Sequence, residues 1–184
     1  MIEKNYISKC VLSQSIVFIY LTTMNTCYLL LGGNLGDKEQ NLKQAIVLLE
    51  QKLGSKPKKS SIFITAAWGN ENQPEFYNQA ISINTTFSAI ELLKTVLEVE
   101  ELLGRKRTND CWQERIIDID ILFYNDEIID LPELKIPHPF IQERKFVLVP
   151  MNEIAGEMVH PVLGKTIKQL LQECNDNLEV KLKS

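Results

Sequence analysis

The spacing of apolar residues changes along the chain, and each change predicts an element. Cys27 to Leu31 is a short apolar run ending in Gly32-Gly33-Asn34, which predicts a buried strand entering a tight turn. Asp37 then stands as an N-cap. Leu42, Ile46, Leu49 and Leu53 follow at helical spacing, with Gly54 placed to stop the helix. Ser60 to Thr65 is β-prone, and Ala66 to Glu75, with Gly69, two asparagines and Pro74, reads as a loop. From Tyr77 the pattern alternates: Ile81, Ile83 and Thr85 share one face, and Asn78, Ala80, Ser82 and Asn84 the other. Ser88 caps a second helix striped by Leu92, Val96, Val99 and Leu103, and Gly104 closes it. Ile116 to Tyr124 is the clearest strand, with Ile117, Ile119, Ile121 and Phe123 on one face and Asp118, Asp120 and Leu122 on the other. Glu127 to Lys135 reads as a small hairpin, and Pro137-His138-Pro139 as a break. From Phe146 the tail reads as two helices, the second capped by Thr166.

The core order is strand, helix, strand, strand, helix, strand. It predicts an α+β protein with a ferredoxin-like βαββαβ core: an antiparallel sheet with helices on one face, plus a C-terminal helical extension. No repeat or linker divides residues 24–184, which are expected to form one domain. Residues 1–23 read differently. Val11 to Leu21 is apolar but interrupted by Ser13, Gln14 and Ser15, so it is too short and too polar to span a bilayer. No clean cleavage site follows it. The expectation is an extension outside the fold, with translation beginning at Met24.

A net charge of −4 argues against a nucleic-acid or acidic-membrane binder, which shows a basic excess. Cys10, Cys27, Cys111 and Cys174 form no CxxC pair and no zinc spacing. They read as free thiols in a reducing compartment, with a disulfide framework as the lesser alternative, so a cytoplasmic location is expected; separately, the protein is expected to be a monomer.

The sharpest chemical feature is Asp118-Ile119-Asp120. Residues two apart on a strand point the same way, with α-carbons roughly 6.6 Å apart. Two such carboxylates repel each other unless neutralised. Magnesium, which takes one or two carboxylates together with phosphate oxygens, would neutralise them. A strand with an exposed polar face is the plainer alternative. Arg105, Lys106, Arg107 and Arg115 lie close by in sequence, and guanidinium groups bind phosphate bidentately. Carboxylates flanked by arginines fit phosphoryl transfer, although a solvated basic loop explains the arginines alone. The chain has no phosphate-loop lysine motif, and the Gly32-Gly33-Asn34-Leu35-Gly36 turn reads as structural. Phe76 is suited to stack on a flat ring, and Asn78 to read a donor–acceptor edge, although taken alone the segment reads more simply as a loop packed by its own aromatic.

Taken in order, Leu31-Gly-Gly-Asn-Leu-Gly-Asp37, Gln73-Pro-Glu-Phe-Tyr-Asn78, Gly104-Arg-Lys-Arg107, the run from Trp112 to Tyr124 and the run from Ile136 to Phe146 form a specific constellation. The chain resembles the 6-hydroxymethyl-7,8-dihydropterin pyrophosphokinases from about Cys27 to Pro161. That resemblance implies diphosphate transfer from ATP to the pterin, releasing AMP, in folate biosynthesis. It implies that Asp118 and Asp120 hold two magnesium ions, and that Arg105 and Arg115 stabilise the transferred group. Glu100, Arg107, Trp112, Ile121, His138 and Arg144 would contact ATP. Phe76 and Phe146 would sandwich the pterin, Asn78 would bond its edge, and Thr65, Ala66, Trp68 and Trp112 would complete that pocket. Trp112 would ride on a loop that closes over both substrates. Glu100 reads equally as the partner of an arginine.

The sequence departs from the family pattern at Cys111-Trp112-Gln113-Glu114-Arg115, which has lost an arginine, a glycine and a proline and gained an acid. Gly33 replaces a common serine, Ala66-Ala67 a proline-bearing segment, and Thr108 a lysine. These changes bear on loop closure and ATP affinity, not on the reaction class. Two competing readings are a metal-dependent phosphohydrolase and a catalytically silent ferredoxin-like binding module. The aromatic pair argues against the first, and the joint presence of Asp118, Asp120, Arg105 and Arg115 against the second.

Overall fold

The computed structural model describes residues 9–12, 15–18, 23–67, 73–105 and 114–184. Strands β1 (Lys9–Leu12) and β2 (Ser15–Phe18) pair only with each other. The main sheet begins with β3 (Asn25–Gly33), and the chain then enters α1 (Lys38–Leu53). The Asp37 side chain accepts from the Gln40 N–H, and Gly54 ends the helix at φ +74°, a left-handed conformation that suits glycine. Strands β4 (Lys58–Lys59), β5 (Phe63–Thr65) and β6 (Phe76–Thr85) lead to α2 (Ala89–Leu102), which Ser88 and Glu91 start with a reciprocal capping box. Strand β7 (Asp118–Tyr124) follows. Then come the hairpin strands β8 (Ile129–Asp130) and β9 (Lys135–Ile136), helices α3 (Lys145–Ala155) and α4 (Ile167–Glu173), and finally β10 (Val180–Leu182). The hairpin and the two tail helices lie where the sequence pattern put them. No pattern pointed to β10.

The main sheet runs β10-β5-β6-β3-β7, every neighbour antiparallel, with β4 also against β6. Helices α1 and α2 cover one face. Leu29, Leu31, Ile81, Ile83, Ile119 and Ile121 pack there against Leu42, Leu49, Leu92, Val96 and Val99. The C-terminal helices close the other face, where Leu30, Ala80 and Leu122 meet Val147, Leu148, Met151 and Leu170. The expectation of helices on one face therefore needs extending, because the tail supplies the third layer. Cys27 lies in the first core, and burial pushes its thiol up to about 12, which keeps it protonated and inert.

Phe123 corrects the strand pattern. It packs with the α3 face, and Tyr124 takes the α1–α2 face instead. The register of β3 against β7 shifts between Tyr28 and Leu29, pairing Leu29 with Ile121 and Tyr28 with Phe123. Leu122 is the extra residue of that bulge, so Leu122 and Phe123 turn to the same side. Simple alternation fails from that point on.

Candidate active site

The site lies at one end of the sheet on the α3 face. Antiparallel register sets Gly32 of β3 between Asn78 of β6 and Asp118 of β7, and places Leu30 opposite Asp120. These side chains share a face because each sits at the same phase of its strand. The N-terminus of α3 brings Arg144 and Phe146 over them. The result is a cavity of about 320 Å³, within the usual range for a small-molecule site. Thr65, Ala66, Phe76, Asn78 and Phe146 line one part of it. Arg115, Asp118, Asp120 and Arg144 line the other.

Two small details shape the floor. A Cβ on Gly32 would stand 3.0 Å from the Asn78 Oδ1, so the missing side chain leaves that oxygen facing open space. Asn78 is itself fixed, because its Nδ2 donates to the Thr65 Oγ1 at 2.9 Å, with both residues 3% exposed. A Cβ on Gly33 would lie 2.4 Å from the Ile116 carbonyl oxygen, so the 114–116 segment packs directly on this glycine.

A second cleft of about 690 Å³ opens around the β7 edge. Glu100, Arg105, Ile121 and His138 line it, together with Leu97, Leu134, Lys135 and Phe140. It shares Arg115, Asp118, Asp120 and Arg144 with the first cavity, so one polar wall serves both.

Charge on that wall is unevenly balanced. Asp118 pairs with Arg105 through one oxygen and with Arg115 through the other. Burial and the Asp118 charge, in that order, hold the Asp120 carboxyl well above the ordinary carboxylate range, opposed by Arg144. Burial works against the Arg105 charge, but Asp118 and Glu100 outweigh it and raise the guanidinium pKa. Among the described residues no cluster of three or more acidic, histidine or cysteine side chains could hold a metal. Asp118 and Asp120 are the two carboxylates on the wall common to both cavities. Two are too few for a protein-only cage but suit magnesium, whose remaining ligands are water and phosphate.

Glu100 is 2% exposed and ion-pairs with Arg105. Its Oε1 also accepts from the Ile119 N–H at 2.8 Å. That amide lies on the outer edge of β7, so the carboxylate satisfies an edge donor and aims an arginine at the same time. His138 is held on the same edge, its N–H donating to the Leu122 carbonyl at 3.0 Å. Burial first, and Arg144 second, lower its pKa to about 4. Its Nδ1 accepts from the Phe140 N–H at 3.3 Å, leaving Nε2 to carry the proton of the neutral ring.

Burial also lowers the pKa of His160, which stacks edge-on against Phe123, 5.4 Å between ring centres. Both histidines bind protons more weakly when folded than when unfolded. For His138 the unfolded chain holds the extra proton between about pH 4 and pH 6.5, so its contribution to stability rises with pH across that window, while the raised Asp120 pKa contributes in the opposite direction. Urea unfolding of the ligand-free protein and of His138→Gln separates the two. The variant should gain less stability than the wild type as pH rises across the window, by at most about 3 kcal/mol; identical pH profiles would contradict a suppressed His138 charge.

Trp68, Arg107 and Trp112 lie outside the described residues. Several contributors escaped the sequence pattern. Gly32 read only as part of a turn. Asn34, 3% exposed, accepts the Arg115 N–H on its Oδ1 at 2.8 Å, while its Nδ2 reaches the Pro74 carbonyl at 3.4 Å. It ties the turn after β3 to two other loops. A buried amide beside paired glycines was the only signal for it.

The chain matches the family model for 7,8-dihydro-6-hydroxymethylpterin-pyrophosphokinase over residues 28–156. It is 41% identical over 150 residues to the 2-amino-4-hydroxy-6-hydroxymethyldihydropteridine pyrophosphokinase of Aquifex aeolicus, covering 82% of this chain and 92% of the relative. The Bacillus subtilis protein of the same name is 42% identical over 135 residues, or 73% of this chain and 80% of the other. Among solved structures, a wild-type Plasmodium falciparum HPPK-DHPS superposes with a TM-score of 0.64 at 21% identity, over 82% of this chain. This chain spans 41% of that longer one, and the likeness shows the fold alone.

Proposed function

The chain belongs to the 7,8-dihydro-6-hydroxymethylpterin-pyrophosphokinase family and is thereby a pyrophosphokinase of folate biosynthesis, and from that premise we propose how its residues carry out the transfer. The flat pterin enters the smaller cavity between Phe76 and Phe146. Its amino and ring N–H groups donate to the Asn78 Oδ1 above Gly32, with Thr65 and Ala66 closing the side. ATP lies in the larger cleft, its base near Ile121 and its phosphates toward Arg105, Arg115, Arg144 and His138. Arg107 and Trp112 complete the nucleotide side, and Trp68 and Trp112 the pterin side.

The observation that carries this reading is the wall common to both cavities. A hydroxymethyl oxygen in one and the β-phosphorus of ATP in the other meet only there. The oxygen attacks in line, the bond to the α-phosphate bridging oxygen breaks, and AMP leaves. Asp118 and Asp120 would hold two magnesium ions, which would supply alignment of the phosphate chain and charge neutralisation. Arg105 and Arg115, which pair with Asp118 before substrate arrives, turn to the phosphate oxygens and follow the charge as it moves to the leaving group. His138 stays neutral and offers Nε2–H as a donor. Glu100 positions Arg105 and lines the nucleotide cleft beside it. Positioning of two reactants is the main source of rate here, since no covalent intermediate is needed.

The element order β3-α1-β5-β6-α2-β7 supports a ferredoxin-like core. Residues 1–23 are read as an extension to that core; among the described residues, β1 and β2 pair with each other and not with the main sheet. Among the described residues no helix is long and apolar enough to cross a membrane.

The deciding assay incubates the protein with ATP and magnesium, with and without 6-hydroxymethyl-7,8-dihydropterin. AMP formed only in the presence of pterin is the expected result. Phosphate released without pterin would make the protein a hydrolase, and no turnover a binding module.

A further inference from the structure

The family match ends at residue 156, yet the last ten residues touch both sides of the smaller cavity. At one end, the Asp176 Oδ2 accepts from the Lys145 N–H at 2.9 Å. Helix α3 has no side-chain cap from its own Arg144, so Asp176 supplies the missing acceptor from a distance. Arg144 and Phe146, the residues flanking that amide, are the ones α3 presents to the cavity. Asp176 also accepts from the Leu178 N–H through Oδ1 at 3.0 Å, which turns the chain toward the sheet.

At the other end, β10 pairs with β5 in the register Val180 with Thr65, Lys181 with Ile64 and Leu182 with Phe63, and the Lys183 N–H donates to the Ile62 carbonyl at 2.9 Å. Strand β5 is three residues long and carries Thr65 and Ala66 to the cavity. Without β10 it would be an exposed edge held only by its short ladder to β6. A latch then fixes β10 itself. Lys183 pairs with Glu39 of α1 at 2.8 Å, and its Nζ lies 5.9 Å from the centre of the Tyr77 ring. Tyr77 stands opposite Ile64, between the cavity residues Phe76 and Asn78.

We propose that residues Asp176 to Lys183 form a strap that sets the width of the pterin cavity, holding the α3 wall at one end and the β5 wall at the other. This inference rests on the pterin reading of that cavity. The ATP cleft meets the strap through Arg144, because its other groups come from α2, β7, the β8–β9 hairpin and the loops that carry Arg105, Arg115 and His138. Strap residues are therefore positioning residues, and their loss should separate the two ligands.

The test compares the full chain with Asp176→Ala, Lys183→Met and a chain ending at Leu178. Calorimetry reads the binding of unreactive 6-hydroxymethylpterin in the presence of the non-transferable α,β-methylene-ATP and magnesium, and of that nucleotide alone. Asp176→Ala and the shortened chain are each expected to weaken pterin binding about tenfold, and Lys183→Met about threefold. Nucleotide affinity should stay within about twofold, and the KM for pterin should rise more than kcat falls. Asp176→Asn, which keeps one acceptor oxygen, should recover part of the loss. Unchanged pterin affinity in Asp176→Ala and Lys183→Met would overturn the proposal, as would equal loss of both ligands. If the shortened chain does not fold, the two point variants still decide. Failure of the full chain to bind any pterin would instead overturn the site assignment beneath it.

Discussion

Asp120→Asn is expected to lower kcat by about three orders of magnitude, some 4 kcal/mol of transition-state stabilisation, while raising the melting temperature of the metal-free protein. The two effects share one cause. Asp120 is pressed by burial and by Asp118, so its folded-state pKa lies above that of the unfolded chain. At neutral pH the unfolded chain gives up that proton more readily, and stability contributed by the protonated form is lost as pH rises toward the folded pKa. An amide of the same shape removes the repulsion and stays neutral at every pH. In the proposed mechanism it also removes one of the two carboxylates that would hold magnesium. AMP release at saturating magnesium and calorimetry in chelator together check the pair of effects. Near-normal turnover would end the metal assignment, and a lowered melting temperature would end the account of strain at Asp120.

Arg115→Ala should reduce kcat by about 10²- to 10³-fold and leave pterin affinity within about threefold. The backbone at this position does not depend on the side chain. The Arg115 N–H donates to Asn34 Oδ1, and its carbonyl accepts from the Asn34 N–H at 3.0 Å. Truncation therefore removes a guanidinium and leaves the 114–116 segment in place. Arg105 still neutralises Asp118, which limits any loss of stability. Arg115→Lys should recover little of the rate, since an ammonium cannot span two phosphate oxygens with a planar fork. Single-turnover kinetics with bound ATP would measure the effect on the chemical step. A raised pterin KM with unchanged kcat would assign Arg115 to pterin binding instead.

The residues that sequence revealed well are those whose role depends on their own strand. Asp118 and Asp120 share a face because a strand repeats every two residues, and three isoleucines on the other face fix which way they point. Helices α1 and α2 were legible for the same reason, from stripes and caps close in sequence. What escaped depends on partners far along the chain. The bulge that turns Phe123 toward α3 exists only relative to β3. Gly32 matters because pairing puts Asn78 on one side of it and Asp118 on the other. Strand β10 has ordinary composition and becomes a strand only because β5 offers an edge. Glu100 carried two readings in the sequence. The Arg105 ion pair and the Ile119 amide together show what its carboxylate is tied to.

Asn34 carries a consequence for how substitutions at this protein would be interpreted. Its planar amide presents an acceptor to one loop and a donor to another from a single rigid group. Aspartate of equal size lacks the donor, and leucine lacks both. A saturation library scored on growth would show position 34 as intolerant as any residue that grips a ligand. The intolerance would arise from scaffolding that neither substrate touches, and a map of essential positions would overstate the extent of the binding surface by that much.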